Sequence, residues 1–192
     1  MGREFELKFS ATEAQQDAIR AKYGDFTQIA METTYFDTPD RALAARRVTL
    51  RRRMENGVSV CTVKTPQAGD SRGEWELRWE DPATMVTELC KLGAPRELLS
   101  LTAGGIVPVC GARFTRLAKH IDLPGGTAEL ALDRGVLLGG GRECPLCEVE
   151  VELKSGSDEA TTAFAAALSA EFGLTPQPQS KFRRAMHLAE NP

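Results

Sequence analysis

Long apolar runs are missing from these 192 residues, and so is a basic leader followed by an apolar stretch. The first absence argues against a membrane-crossing helix and the second against a secretory signal, so a cytoplasmic location with no membrane partner is expected. Excess charge is missing too: 24 Lys and Arg against 27 Asp and Glu leave a formal net charge of −3. A chain without a cationic surplus has no general attraction for nucleic acid, so any basic patch must be local. Histidines number two, His120 and His187, and the five cysteines make an odd count with no export signal, which argues for reduced thiols. Cys144-Pro-Leu-Cys147 is a lone CxxC, expected to be a loop cysteine and a strand-start cysteine rather than a zinc or redox site. The Gly139–Gly141 run lacks the Lys-Ser/Thr that follows in a phosphate-binding loop, and reads as punctuation.

What is present is a strongly patterned chain, long enough for a real core and expected to form a single domain over residues 1–192. Ser10-Ala-Thr-Glu13 reads as a capping box opening a helix over about 11–22 that stops near Gly24. "QIAMETTYF" reads as a strand closed by a turn at Asp37-Thr-Pro-Asp40. Asn56-Gly57 between "RVTLRRRM" and "VSVCTVK" is a strong hairpin signal. The tip "PQAGDSRG" leads to "GEWELRWE", and Asp81-Pro82 caps a helix through about Lys91 with Gly93 as its stop. Strands follow at "RFTRLAKHIDL", "TAELALD", "GVLL" and "CEVEVELK". A helix over about 158–172 ends at Gly173, and a last one starts near Ser180.

"EFELK" at Glu4–Lys8 nearly repeats as "EVELK" at Glu150–Lys154. On a period of two, Glu4, Glu6 and Lys8 share one strand face and Phe5, Leu7 and Phe9 the other. Arg51 and Arg53, Thr62 and Lys64, Glu74 and Glu76, Glu129 and Asp133, and Glu148, Glu150 and Glu152 alternate with apolar residues in the same way. A sheet with one solvated face shows such alternation routinely. Here, however, the charges are sorted by sign, acidic at both ends of the chain and basic in the middle, whereas a merely solvated sheet gains most from opposite charges paired across strands. Same-face carboxylates about 7 Å apart repel by roughly 2 kcal/mol at an effective dielectric near 20, and if enclosed they call for a cation. Enclosure is expected because Trp75, Trp79, Phe5 and Phe9 need covering and amphipathic helices are available. These features predict an α+β fold: a closed antiparallel β-barrel of about eight strands forming a charged tunnel, with helices packed outside. Acids on one wall and Arg and Lys on another suit a polyanion that chelates a metal, with triphosphate or another polyphosphate as the obvious case.

The start Glu4-x-Glu6-x-Lys8, "YFDTPDRAL", "LRRRMENG" followed by "TVK", "RGEWEL", "ELALDRG", "CEVEVELKSG" and "SKFRRA" together resemble the CYTH superfamily, the triphosphate tunnel metalloenzymes. The resemblance spans essentially the whole chain. It implies hydrolysis of inorganic triphosphate, with thiamine triphosphatase and class IV adenylate cyclase as enzymatic alternatives; a non-catalytic polyphosphate- or nucleotide-binding module is the alternative of another class. It implies Mg2+ or Mn2+ as cofactor, held by Glu4, Glu6, Asp133, Glu148 and Glu150, with Glu4, Glu6, Glu148 and Glu150 as the catalytic acids. Lys8, Arg51, Arg53, Lys64, Arg116 and Lys181 match the family's triphosphate-binding positions, Lys181 reaching in from the last helix. Glu74 and Glu76 resemble acids near a second metal or in the basic network, and Glu152 continues the acidic face. Two positions beyond Arg116, where the family often has a second basic residue, this chain has Ala118. Arg183 and Arg184 are expected on an ordinary helix surface, and His187 on a helix face.

Overall fold

The computed structural model describes residues 2–3, 5–66 and 72–191. In chain order the elements are β1 (Gly2–Arg3), β2 (Glu6–Ser10), α1 (Glu13–Tyr23), β3 (Thr27–Asp37), α2 (Ala42–Ala45), β4 (Thr49–Glu55), β5 (Val58–Pro66) and β6 (Arg72–Arg78). They continue as α3 (Met85–Lys91), α4 (Glu97–Leu101), β7 (Val107–Leu123), β8 (Gly126–Gly139), β9 (Arg142–Ser155), α5 (Asp158–Phe172), β10 (Thr175–Pro176) and α6 (Lys181–Glu190). Glu4 and residues 67–71 of the β5–β6 tip lie outside the described residues. Among the described residues no helix is long and apolar enough to cross a membrane.

Local chemistry sets most boundaries. Helix α1 starts two residues later than Ser10 suggests: Thr12 is the N-cap and closes a capping box with Gln15. Asn56 and Gly57 both adopt positive φ (48° and 84°), the backbone that a tight hairpin between β4 and β5 requires. Asp37, buried at the end of β3, accepts hydrogen bonds from the backbone N–H groups of Thr38, Leu43 and Ala44 and so seats α2. Ser157 and Ser180 cap α5 and α6, and Gly173 in the left-handed region ends α5. Segments expected as separate short strands merge into the long hairpin β7–β8, and the Cys144–Cys147 pair lies within β9 rather than before it.

All ten described strands form one antiparallel sheet in the order β1-β6-β5-β4-β3-β7-β8-β9-β2-β10. This corrects the expectation of a closed barrel of about eight strands: the sheet is open, ending on β1 and β10, and among the described residues no ladder joins the two ends. The reason lies in the first strand. Closure would need one strand to pair with both β6 and β9, but the pairing is divided, with Gly2 and Arg3 opposite Glu74 and Gly73 and Glu6–Ser10 opposite Glu152–Glu148. The other edge of β2 is taken by β10, Thr175 opposite Ser10 and Pro176 opposite Phe9, and by Gln177 N donating to Lys8 O at 2.8 Å.

The apolar face is covered by five helices. Leu50, Val63, Trp75 and Cys61 pack under Leu43 of α2, Met85 and Leu89 of α3 and Leu98 of α4. Leu130, Leu132, Val149, Val151 and Phe9 pack under Ile19 of α1 and Ala165 and Leu168 of α5. Helix α6 instead meets the charged face of the sheet. There Ala185 joins Met31, Ala112, Phe114, Leu137 and Leu146, an apolar floor at one end of the charged rows. At Gly135 in β8 a Cβ would lie 2.2 Å from Arg113 O and 2.7 Å from the Phe114 Cβ, so only glycine lets Phe114 lie across the strand.

Candidate active site

Strand register places the acids in cross-strand rows. Asp133 is paired with Glu148, and Glu148 with Ser10. One rung along, Glu150 lies between Ala131 and Lys8, and the next rung aligns Glu129, Glu152 and Glu6. Asp133, Glu148 and Glu150 offer carboxylate oxygens that all lie within 4.8 Å of one another. Asp133 and Glu148 are 0% exposed and Glu150 7%. Three enclosed carboxylates this close require compensating charge, and strand β7 and helix α6 supply it.

Arg116, paired with Asp133 across β7 and β8, grips it with Nε at 2.8 Å and Nη2 at 2.7 Å and also bonds Glu150. Lys181, the first residue of α6, sets Nζ 2.8 Å from Asp133 Oδ2, 2.6 Å from Glu148 Oε2 and 2.7 Å from Glu150 Oε1. Arg184, one turn later, bonds Glu148 Oε1. The Lys181 ammonium is the one charge that reaches Glu148 Oε2 among the described residues, and that oxygen has no other partner there. Burial pushes the Glu148 carboxyl above the ordinary carboxylate range, with Lys181 acting against it. Burial alone would raise Glu150 as well, but Lys181 and Arg116 hold it far below that range. Burial disfavours the charged Lys181, yet Asp133, Glu150 and Glu148 push its titration far upward. Glu150 and Lys181 therefore stay ionised together at neutral pH.

The other predicted cations lie on β4 and β5. Arg51 and Lys64 face Glu74 at 3.9 and 3.5 Å, and Arg53 approaches Glu76 at 3.8 Å while bonding Glu55. Glu76 also accepts from Thr62 at 2.9 Å. Arg53 is depressed from the usual arginine value by burial first and by neighbouring Arg51 second, and its Nε is buried without a partner. Among the described residues no ion pair joins this group to the carboxylate trio. Buried Tyr35, which feels Arg51, Lys181 and Arg53, stands beside both groups. Lys8 pairs with Glu6 at 2.8 Å; burial lowers its pKa, but Glu6 and more distantly Glu150 raise it further, for a net rise. Glu152 pairs with Lys154 at 2.9 Å, and burial raises its carboxyl. Glu4 lies outside the described residues.

Three contributors had no site role assigned from sequence. Arg184 was assigned to a helix surface and instead contacts the trio; its spacing of three from Lys181 puts both on one helix face. Glu129, whose period-two match to Asp133 was visible, lies 3.9 Å from Arg116 and 3.8 Å from Lys154. Gln16 of α1 is buried against the strands that carry Asp133 and Glu148. Arg183, His187 and His120 are exposed. Cys144 is exposed as well, and burial pushes the thiols of Cys61 and Cys110 up to about 11 and about 12.

A family model described as the CYTH domain matches residues 2–186. An inorganic triphosphatase of Haemophilus influenzae is 27% identical over 96% of this chain and 54% of its own length, so the chain spans about half of that curated relative. A Hippeastrum protein described by a dominant triphosphatase activity superposes with a TM-score of 0.70 at 18% identity, covering 100% of this chain and 98% of the other. A Pyrococcus horikoshii protein gives 0.65 at 22% identity, with 96% and 98% covered. A Bacillus halodurans protein described as a candidate adenylate cyclase gives 0.64 at 21%, with the same coverage. At these identities the structural likeness is one of fold.

Proposed function

The chain belongs to the CYTH domain family, and from that premise we propose that it hydrolyses the terminal phosphoanhydride of inorganic triphosphate, releasing phosphate and diphosphate, with Mg2+ or Mn2+ as cofactor. The observation that carries this reading is the buried trio Asp133, Glu148 and Glu150, with oxygens within 4.8 Å of one another, beside a separate group of half-buried arginines and lysine. The trio fits a divalent cation: its donors are all hard carboxylate oxygens and they lie within 4.8 Å of one another. Asp133, Glu148 and Glu150 would hold that ion, joined by Glu4 and Glu6 on the strength of the family motif. When bound, the ion supplies Lewis-acid polarisation of a phosphoryl oxygen.

The remaining work falls to side chains of this chain. Arg51, Arg53, Lys64 and Lys8 neutralise the phosphate oxygens, the two guanidinium groups by paired N–H donation. Arg116 and Lys181 hold the trio in place until substrate charge arrives, and then donate hydrogen bonds to it while staying protonated. Glu74 and Glu76 orient the basic group in the meantime. Phosphoryl transfer asks chiefly for positioning and electrostatic stabilisation, which such an arrangement provides. The Haemophilus influenzae relative, an inorganic triphosphatase, supports triphosphate as the substrate. The test is phosphate release from triphosphate, ATP and thiamine triphosphate, with Mg2+ and with Mn2+. Fastest turnover of triphosphate, lost in Glu148→Gln, is expected. Dominant formation of cyclic AMP from ATP would replace the reading with a cyclase, and tight binding without turnover would replace it with a binding module.

A further inference from the structure

Gln16 is a polar side chain that the reading above leaves unused. It lies in the first turn of α1, on the opposite side of the sheet from the carboxylates, and is 2% exposed. Its Nε2 donates to Asp133 O at 3.0 Å and to Glu148 O at 2.8 Å, while its Oε1 accepts from Arg134 Nε at 3.0 Å. This pattern fixes the amide orientation, because a flipped amide would set donor against Arg134 and acceptor against two carbonyls. Arg134 is itself fastened to α1 through Asp17 Oδ1 at 2.8 Å and Glu13 O at 3.1 Å. One side chain thus bridges the backbones of the two most deeply buried acids, which face each other on a single rung of the β8–β9 ladder.

We propose that Gln16 is a positioning residue for the metal site, holding the Asp133–Glu148 rung at the spacing that lets both carboxylates serve one divalent cation. This rests on the metal-dependent reading given above. Like charges directly opposite one another on a rung push the strands apart. A two-carbonyl clamp on the same rung resists that movement from behind the sheet. Each carbonyl oxygen has two lone pairs, so accepting from Gln16 is compatible with the sheet's own hydrogen bonds. Partners bonded directly to ligating side chains typically change metal affinity about 10- to 100-fold when removed, and a clamp on the ligands' backbone is expected at the lower end of that range, about tenfold.

Its neighbour Gln15 provides a matched control. Gln15 Nε2 donates to two backbone carbonyls in the same way, Phe172 O and Gly173 O, both at 2.9 Å, but these end α5 and lie away from the acids. Gln16→Met and Gln15→Met each remove a two-carbonyl clamp from the same helix, and Gln15→Met also removes the capping-box acceptor of Thr12 N, so it is the more severe test of helix stability alone. The experiment is calorimetric titration of each variant and the wild type with Mn2+ alone, together with thermal melting and kcat and KM for triphosphate. The expected result is that both variants melt lower, while Gln16→Met alone binds Mn2+ about tenfold more weakly and loses kcat with little change in KM. Arg134→Gln, which frees the amide without emptying the buried position, is expected to weaken Mn2+ binding in the same direction and by less. Wild-type Mn2+ affinity in folded Gln16→Met, or in Arg134→Gln should Gln16→Met not fold, overturns the proposal and leaves the hydrolytic reading standing. A Mn2+ site weakened by Gln16→Met in a protein that hydrolyses no triphosphate upholds the positioning role and rejects the substrate.

Discussion

Replacing Lys181 by Met tests how the carboxylate trio is held. The side chain keeps its length and helix-forming tendency but loses the ammonium that lies 2.6–2.8 Å from Asp133, Glu148 and Glu150. Removing one partner of a buried ion pair costs about 3–5 kcal/mol, because the other charge is left enclosed and uncompensated. Arg116 still holds Asp133 and Glu150, and Arg184 still holds Glu148, which puts the expected loss near the lower end, about 3 kcal/mol. For a chain of this size each kcal/mol moves the melting midpoint by about 2–4 °C, so a drop of about 6–12 °C is expected in calorimetric melting. Mn2+ should restore much of that loss: at a hundred times its dissociation constant a ligand of the folded state adds about 2.7 kcal/mol. The variant should therefore gain more from Mn2+ than the wild type does, since its trio is short of one cation. A variant that melts within about 2 °C of wild type, with no larger response to Mn2+, would refute the claim that these carboxylates depend on a cation at that place.

The same cluster sets the acid side of the stability profile. Glu150 titrates below its ordinary value, so its contribution is complete above the unfolded value of about 4.5 and is lost as pH falls through the folded value. Lys181 titrates above its ordinary 10.5, so its contribution is complete below that pH and is lost only as pH rises through the higher folded value. A melting midpoint that is flat across neutral pH and falls in acid is expected, and in Lys181→Met the fall should begin at higher pH because Glu150 has lost its main depressing charge; parallel profiles for the two proteins would contradict this. Thiol labelling should modify exposed Cys144 first, with Cys61 and Cys110 protected until unfolding by burial and by pKa values pushed up to about 11 and about 12; rapid labelling of Cys61 in the folded protein would argue against the packing of the β4–β6 core.

Local signals carried much of this structure. Asn56-Gly57 marked a hairpin, and Ser180 and Gly173 marked helix ends, because a cap or a positive-φ turn is decided by a few adjacent residues. A period of two puts Glu148 and Glu150 on one face of their strand and Asp133 on the charged face of its own, because side-chain alternation is a property of the strand itself; that the two strands bring the three acids together was implied only by the family resemblance. Closure of the sheet was not legible. It depended on which segment took the free edge of β2, and the segment that does so, Thr175–Pro176, is two residues long and has no pattern of its own. Arg184 was misplaced for a related reason: α6 is charged on several sides, and only its docking against the charged face of the sheet decides which arginine turns inward. Gln16 left no sequence signal, since a helix glutamine is most often solvated and nothing nearby marks it as buried.

Calorimetric titration of the protein with inorganic triphosphate, in the absence and presence of Mn2+, bears most directly on the central claim that buried acids and half-buried cations form one site for a metal–polyanion pair. Mn2+ should bind alone, should tighten triphosphate binding by at least tenfold, and should lose that effect in Glu148→Gln. Triphosphate binding of equal strength with and without Mn2+, unchanged in Glu148→Gln, would mean that the carboxylate trio and the basic group act separately and that the account is wrong.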